Sequence, residues 1–365
     1  MHPQKCTPAP MKTFKTVNTL AFTFAGMLCA MLCSINTQLH AQTPAEPTPL
    51  RVLIPNATSL PKALIAKFEA DNNIKVQLIK GGDTGEALNK LILSRAAPIA
   101  DVMFGVDNSL AAKARAAGVF TAYLGPAAKT PNAFDQTLGD PLVAVDYGYV
   151  NINIDTAAFA KTGLALPTSL ADLALPAYKN MLVVQHPATS STGYAFMLAT
   201  IAGLGEVGAF EWWGKMRANG VKVAKGWTEA YYTDFSRNKG AYPLVVSYAS
   251  SPAAEVFYSK EPLATAPTQN LFIKGGVWRQ VEGVALVKGG LNADAGIKFI
   301  EFLRAPAMQS QLQTSQWMLP VVAGTPIADA FKHASVPQAF DTLSAREIET
   351  KGAEWVKRFS SVVLR

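Results

Sequence analysis

The sequence predicts an α/β protein of two lobes, each an open, mainly parallel sheet with helices on both faces. Three observations carry that expectation. Short apolar strands alternate with amphipathic helices from residue 51 onward, the order that produces such a sheet. The alternation occurs twice, before and after a long Val-, Tyr- and Ile-rich run, Leu142–Ile154. The 365 residues are 49% hydrophobic and 16% charged, enough for one large or two ordinary domains and unlike a disordered or collagen-like chain.

The first segment reads as a leader. Lys12 and Lys15 precede Leu20–Cys33, an uncharged and largely apolar run of 14 residues, followed by polar Ser34–Gln38 and then Leu39-His40-Ala41. Basic, apolar and small residues in that order make a secretory signal, assigned to 1–41 with cleavage after Ala41. The apolar run is short of the roughly 20 residues that span a bilayer. Met11-Lys12 opens the pattern better than Met1, and both remain candidate starts. Leu28 and Leu32 stand before Cys29 and Cys33, where a lipoprotein signal needs a small residue. All three cysteines (Cys6, Cys29 and Cys33) fall in this leader, and beyond it only His186 and His333 remain of the histidines. A Cys-based zinc site, a Cys nucleophile and a His cluster are thereby excluded from most of the chain, and no metal site is assigned. Export without a cysteine left to oxidise fits a Gram-negative periplasm. Removing the leader's Lys5, Lys12 and Lys15, with no acid among them, lowers the formal charge from +7 to +4. That charge, with no basic block, gives no sign of nucleic acid binding.

Residues 42–50, with three prolines, read as a linker. Arg51–Pro55 is a short strand; Ser59 offers a helix N-cap and Pro61 an early helical position. Leu60, Leu64 and Phe68 repeat at four-residue spacing opposite Lys62, Lys67, Glu69 and Asp71. Strand Lys75–Ile79, the Gly81–Gly85 turn and a helix through Leu88, Leu91 and Ile92 follow. Strand Val102–Phe104 and helix Asn108–Ala117 complete the first set. Loops after the strands of such a sheet form its ligand crevice, so Pro55–Ser59, Gly81–Gly85 and Gly105–Asn108 are expected to face one cleft. Leu142–Ile154 is too long for one ordinary buried strand and reads as a crossing between lobes. The second set runs through helix Ser169–Leu173, strand Met181–Val184, a helix from Gly193 and a helix over Glu206–Ala218. Strand Val221–Ala224, a helix after Trp227, strand Leu244–Ser247 and a helix after Pro252 complete it. Gln280–Val287 reads as a return crossing, Ala293–Arg304 as a helix, and Ala328–Arg365 as mostly helical.

Gly203-Leu204-Gly205-Glu206-Val207-Gly208 fits G-x-G-x-x-G, but a dinucleotide site needs a strand before it, and a helix stands there instead. It reads as a helix–helix turn. G-x-x-x-x-G-K-[ST], H-E-x-x-H and G-x-S-x-G are absent, so the chain is read as no enzyme, with no catalytic residues; a secreted phosphate-ester hydrolase is the remote alternative. Thr189-Ser190-Ser191-Thr192-Gly193 follows a strand and opens a helix, where free N–H groups and hydroxyls suit an anion or a polar group; one hydroxyl suffices for simple capping. Lys225-Gly226-Trp227-Thr228-Glu229-Ala230-Tyr231 and Ser247-Tyr248-Ala249-Ser250-Ser251-Pro252 each place an aromatic at a strand end before a helix. Aromatic faces beside a carboxylate suit a flat or cationic organic ligand. Asp83 can supply that carboxylate, or bond its own turn.

These stretches, with Asp101–Asn108, Asp146-Tyr147-Gly148-Tyr149, Gln280-Val281-Glu282 and Trp317-Met318-Leu319-Pro320, resemble in content and order the periplasmic thiamine-binding proteins of ABC importers. That group of extracellular solute-binding proteins also contains ferric-ion binders. The resemblance implies a periplasmic binding protein fold with an interlobe ligand cleft and two hinge crossings, closing on one ligand. Lobe I would comprise 51–145 and the return segment 282–318, and lobe II 146–281, leaving helices in 319–365 unassigned. It implies a monomeric receptor that binds thiamine or a thiamine phosphate as cargo rather than cofactor and hands it to an inner-membrane ABC permease. Implied contacts are Asp83, Ser190, Ser191, Trp227 and Tyr248-Ala249-Ser250-Ser251-Pro252, with Asp107, Tyr231 and Trp317 as further cleft residues. Two departures are visible: Asn56–Leu60 and Ala254 lack the family's aromatics, which weakens stacking by about 1 kcal/mol per pair. Adjacent Tyr231 and Tyr232 leave ferric ion as the alternative cargo, or another small solute such as an anion or amine.

Overall fold

The computed structural model describes residues 46–365; the signal segment assigned to 1–41 lies outside the described residues. In the first half, β1 (Thr48–Ile54), α1 (Lys62–Asn72), β2 (Ile74–Lys80), α2 (Thr84–Leu93), β3 (Val102–Asp107) and α3 (Ala111–Ala117) alternate. β4 (Val143–Asp155) then leads to β5 (Leu182–Gln185), α4 (Ser191–Ala218), β6 (Lys222–Ala224), β7 (Leu244–Tyr248) and α5 (Ser251–Phe257). β8 (Thr268–Leu271), β9 (Trp278–Val287), α6 (Ala293–Arg304), α7 (Pro306–Ser315) and α8 (Ala345–Val363) complete the chain.

The strands lie in the order β2-β1-β3-β9-β4-β7-β5-β6. β1 is parallel to β2 and β3, and β5 is parallel to β6 and β7, so each lobe has its own parallel set. Between them β4 and β9 run antiparallel to each other, with Asp146 opposite Glu282. β4 has 13 residues, which is why it serves both lobes: Val143–Val150 pairs with β9 and Val150–Ile154 with β7. Its run rich in Val, Ile and Tyr is the pattern of a strand buried on both faces. The two hinge crossings are therefore β4 and β9.

Several local expectations are corrected. β1 starts at Thr48, inside the segment read as linker, because Thr48 and Pro49 pair with Ile74 and Lys75 of β2. Pro49 is tolerated there since β3 pairs only with Val52 and Leu53. Ser59 does not cap α1; Leu60 precedes a proline, and Pro61 is itself the extended N-cap at ψ 110°. The backbone N–H of Ser59 donates instead to Gln316 Oε1 at 2.9 Å. The face of α1 is as expected, with Phe68 stacked on Phe302 at 4.7 Å and edge-on to Phe299 at 5.7 Å. Within α4, Gly205 at φ 70°, ψ 162° breaks the helix in two, so the glycine-rich motif is a helix–helix turn. Ala328–Arg365 is less helical than expected: Asp329–His333 forms a short 3₁₀ turn and α8 begins only at Ala345. Pro337 breaks the stretch between, and Asp341 is held extended, its Oδ2 accepting from the backbone N–H groups of Gly275 and Val277. α8 packs on α4, with Phe359 edge-on to Trp213 at 4.7 Å and Lys351 paired to Glu206 at 3.1 Å.

Candidate functional site

Where the two parallel sets turn their carboxyl ends toward each other, they enclose a cavity of about 530 Å³. Pro55, Ala57, Thr58 and Ser59 follow β1, and Asp83 and Thr84 follow β2. From the other side come Ser191 and Thr192 at the start of α4, Trp227, Tyr231 and Tyr232 after β6, and Tyr248, Ser250 and Ser251 after β7. Trp317 and Glu282 close it near the hinge.

Trp227 is held on three sides. Its ring stacks on Tyr231 at 5.0 Å and 17°, meets Tyr232 edge-on at 5.5 Å, and its Nε1–H donates to Ser247 Oγ at 2.8 Å. The expected helix after it is a single turn followed by a π-helical turn, Ala230–Asp234, which brings both tyrosines round to the indole. Tyr248 is fixed by its hydroxyl, which lies 3.1 Å from Thr192 Oγ1 and accepts from Gln280 Nε2 at 3.0 Å. Burial pushes its phenol well above the usual range, so it stays neutral. Trp317 sits at φ 60°, a strained position for a bulky residue, with its ring stacked on Phe331 at 6.0 Å.

Asp83 caps α2 and bridges the lobes: Oδ1 accepts from Thr84 N at 2.7 Å, and Oδ2 from Trp227 N at 2.8 Å. Burial raises its pKa, while these hydrogen bonds pull it down. Thr189 O accepts from Glu86 N at 2.9 Å, and Lys225 pairs with Glu86 at 3.0 Å. The structure therefore holds the lobes in contact, as a closed receptor does.

Four of the expected contact residues lie outside the cavity wall. Ser190 is fully buried, its Oγ accepting from Gly193 N at 3.3 Å; it caps α4, and Ser191 and Thr192, though buried themselves, line the cavity in its place. The backbone N–H of Ala249 turns away to Tyr149 O, and Pro252 lines a different groove beside Thr268 and Asn270. Asp107 is fully buried, and its Oδ1 accepts from the N–H groups of Ser109 and Leu110 at 2.8 and 3.1 Å. Conversely, sequence reasoning missed Tyr258, Glu255 and Glu282. Glu255 on α5 and Tyr258 at its C-cap lie four residues beyond Ser251 and Ala254, a helical spacing legible in the sequence. Glu282 is a carboxylate inside the otherwise apolar Val281–Val287, the signal that should have singled it out.

Among the described residues, the cavity wall carries three carboxylates (Asp83, Glu255, Glu282) and no Lys, Arg or His. Directly behind, Asp107 and Asp146 are fully buried, and both oxygens of Asp146 lack a hydrogen-bond partner. β9 places Glu282 level with Asp107 on one side and Asp146 on the other. Burial pushes Asp107 up to about 6, against the pull of hydrogen bonds from Ser109 and Leu110. It pushes Asp146 and Glu282 well above the carboxylate range, mutual repulsion adding to the effect on Glu282. The folded protein thus binds more protons than the unfolded chain, so stability falls as pH rises. For Asp107, raised from 3.8 to about 6, the full loss is roughly 3 kcal/mol, of which about 1.4 kcal/mol falls between pH 5 and pH 8. His186, pushed down by burial, opposes this below its ordinary value, but it is one half-buried ring against three enclosed carboxyls. The unliganded protein is expected to melt several degrees higher at pH 5 than at pH 8 by circular dichroism; the reverse order would contradict the assignment.

These features, two α/β lobes on paired crossings around a cavity lined by aromatic rings, define a solute receptor. The chain belongs to the bacterial extracellular solute-binding protein family, whose profile matches residues 97–351. Such proteins bind small solutes for ABC permeases and perform no catalysis. The chain is 30% identical over 298 residues to the thiamine-binding periplasmic protein of Escherichia coli, covering 82% of this chain and 87% of that one. The solved periplasmic thiamin binding protein superposes with a TM-score of 0.77 at 27% identity, over 87% of this chain and 97% of that one. Iron uptake protein A1 of Synechocystis is 26% identical over 298 residues, covering 79% of each chain.

Proposed function

We propose that this protein is a periplasmic receptor for thiamine or its phosphate esters, which it delivers to an inner-membrane permease by closure of its lobes. One observation carries the reading: a cavity walled by aromatic rings and carboxylates, with no basic side chain. A cationic, flat, two-ring solute matches that wall. Trp227, Tyr232 and Trp317 offer ring faces and edges to a cation, the acidic character of the wall attracts the thiazolium, and the start of α4 with Ser191 and Thr192 suits the hydroxyl or phosphate end. The volume falls within the range of small-ligand sites. The similarity to thiamine-binding proteins supports the same cargo. Lobe I then comprises 51–145 and 282–318 and lobe II 146–281, a division supported by the Asp146–Glu282 register. α8 extends lobe II through its packing on α4.

Ferric ion is the second reading, favoured by Tyr231-Tyr232 and the cyanobacterial relative. Against it, Tyr231 Oη donates to Glu255 Oε1 at 2.8 Å, and burial raises that phenol well above its usual range, which disfavours the phenolate iron requires. Calorimetry on the mature protein discriminates the two. Thiamine or a phosphate ester is expected to bind with a Kd of about 1 μM or tighter, and to stabilise the protein by about 2.7 kcal/mol at a hundredfold excess over Kd. No heat and no thermal shift with any of them, together with a visible charge-transfer band on adding ferric ion, would replace this reading with the second.

A further inference from the structure

The wall carboxylates are not equivalent. Asp83 has both oxygens engaged, by Thr84 N and Trp227 N. Glu255 has both engaged, by Tyr231 Oη at 2.8 Å and Arg237 Nε at 3.1 Å. Glu282 differs. Its Oε1 accepts from Gln280 Nε2 at 2.9 Å, but its Oε2 is buried without a partner, in a residue only 6% exposed that lines the cavity. Gln280 also donates to Tyr248 Oη, so one amide fixes both the carboxyl group and the adjacent ring. Leaving a buried carboxyl oxygen unpaired is unfavourable unless a bound guest supplies the missing donor.

We infer that Glu282 is the residue that reads the ligand's nitrogen heterocycle, its free Oε2 accepting an N–H from an amino-substituted aromatic ring lying against Tyr248. Asp83 is instead a closure latch, binding the opposite lobe rather than the cargo. This deepens the proposed function and rests on it: for thiamine, the donor is the aminopyrimidine. The surroundings of Glu282 give the contact a second signature. Asp146 on β4, Asp107 on β3 and Asp83 before α2 all disfavour its ionisation, as burial does, while Gln280 favours it, and Tyr248 on β7 stays neutral. A cationic guest reverses that balance, so binding at pH 6 releases a proton into solvent.

The test is calorimetry with thiamine and with the analogue whose ring amino group is replaced by a carbonyl, on the native protein and on Glu282→Gln. The native protein is expected to prefer thiamine by ~30-fold or more, and Glu282→Gln to shrink that preference to within ~3-fold, as loss of a buried donor–acceptor pair does. Titration at pH 6 in two buffers of different ionisation enthalpy is expected to show net proton release when the native protein binds thiamine, a readout that stands even if the variant folds poorly. An unchanged preference in a folded Glu282→Gln, or no buffer dependence in the native protein, overturns the role of Glu282 alone. Failure of the native protein to bind thiamine at millimolar concentration overturns the cargo assignment, and this contact with it.

Discussion

Gly85→Ala is expected to weaken ligand binding by about a hundredfold while leaving the unliganded protein as stable as before, or slightly more so. Gly85 is the second residue of α2, where a new Cβ would lie 2.8 Å from both the carbonyl carbon and oxygen of Thr189 and 3.2 Å from Ala188 O. Those atoms are main chain of the opposite lobe and cannot step aside as a side chain would. The adjacent Glu86 N–H donates to the same Thr189 carbonyl, so the clash falls on the contact that closure makes. An open receptor feels none of this, and alanine gains up to about 1 kcal/mol over glycine inside a helix. Gly226→Ala acts at the same seam, its Cβ 2.9 Å from Asp83 Oδ2. Calorimetric affinity and the melting temperature of the unliganded protein should therefore move in opposite directions, an outcome that lost folding does not imitate. A Kd within threefold of the native value for Gly85→Ala would show that binding does not require this closed geometry.

Trp227→Ala is expected to reduce affinity by about 10²- to 10³-fold, the loss typical of an aromatic anchor at the centre of an enclosed site. The indole is the hub of the second-lobe wall: it stacks on Tyr231, meets Tyr232 edge-on and is pinned by Ser247. Truncation removes the ring, frees Tyr232 to turn outward, and leaves Ser247 paired only with Ser251 at 2.9 Å. Trp227→Phe keeps a face for stacking but not the Ser247 bond, and should recover most of the affinity. Equal losses in the two variants would mean that the Ser247 bond, not the aromatic face, sets the contact. Because Trp227 is only half-buried, the melting temperature of the unliganded alanine variant should fall by no more than a few degrees.

Much of this architecture is legible along the chain, because strand and helix periods are local. The four-residue spacing of Leu60, Leu64 and Phe68 marks the buried face of α1, and the length of the Val-, Tyr- and Ile-rich run Leu142–Ile154 marks a crossing between lobes, which the structure forms as the single strand β4. Placing Trp227 and Tyr248 at strand ends brought them to the cavity, since every strand of a parallel set ends on the same side. Single-residue direction was another matter. Ser190 and Ser191 are indistinguishable in the sequence, yet one caps α4 inside the protein and its neighbour faces the cavity, because one step along a helix start rotates the side chain by about 100°. Asp107 ends a strand and Asp83 follows one, each ahead of a helix; one bends back on its own turn and the other reaches the far lobe.

The sequence alone determined the two alternating strand–helix sets, the long crossing that joins them and the strand-tip loops that hold the cavity's aromatic wall, because each depends on residues close together in the chain. Tertiary structure decided which carboxylate is free. Asp107, Asp146 and Glu282 come from three distant segments, and only the register of β3, β9 and β4 sets them side by side. Asp83 acquires its latch only when Trp227 arrives from the other lobe. A charge in a protein is defined by what surrounds it, and those surroundings are assembled across the sheet rather than along the chain.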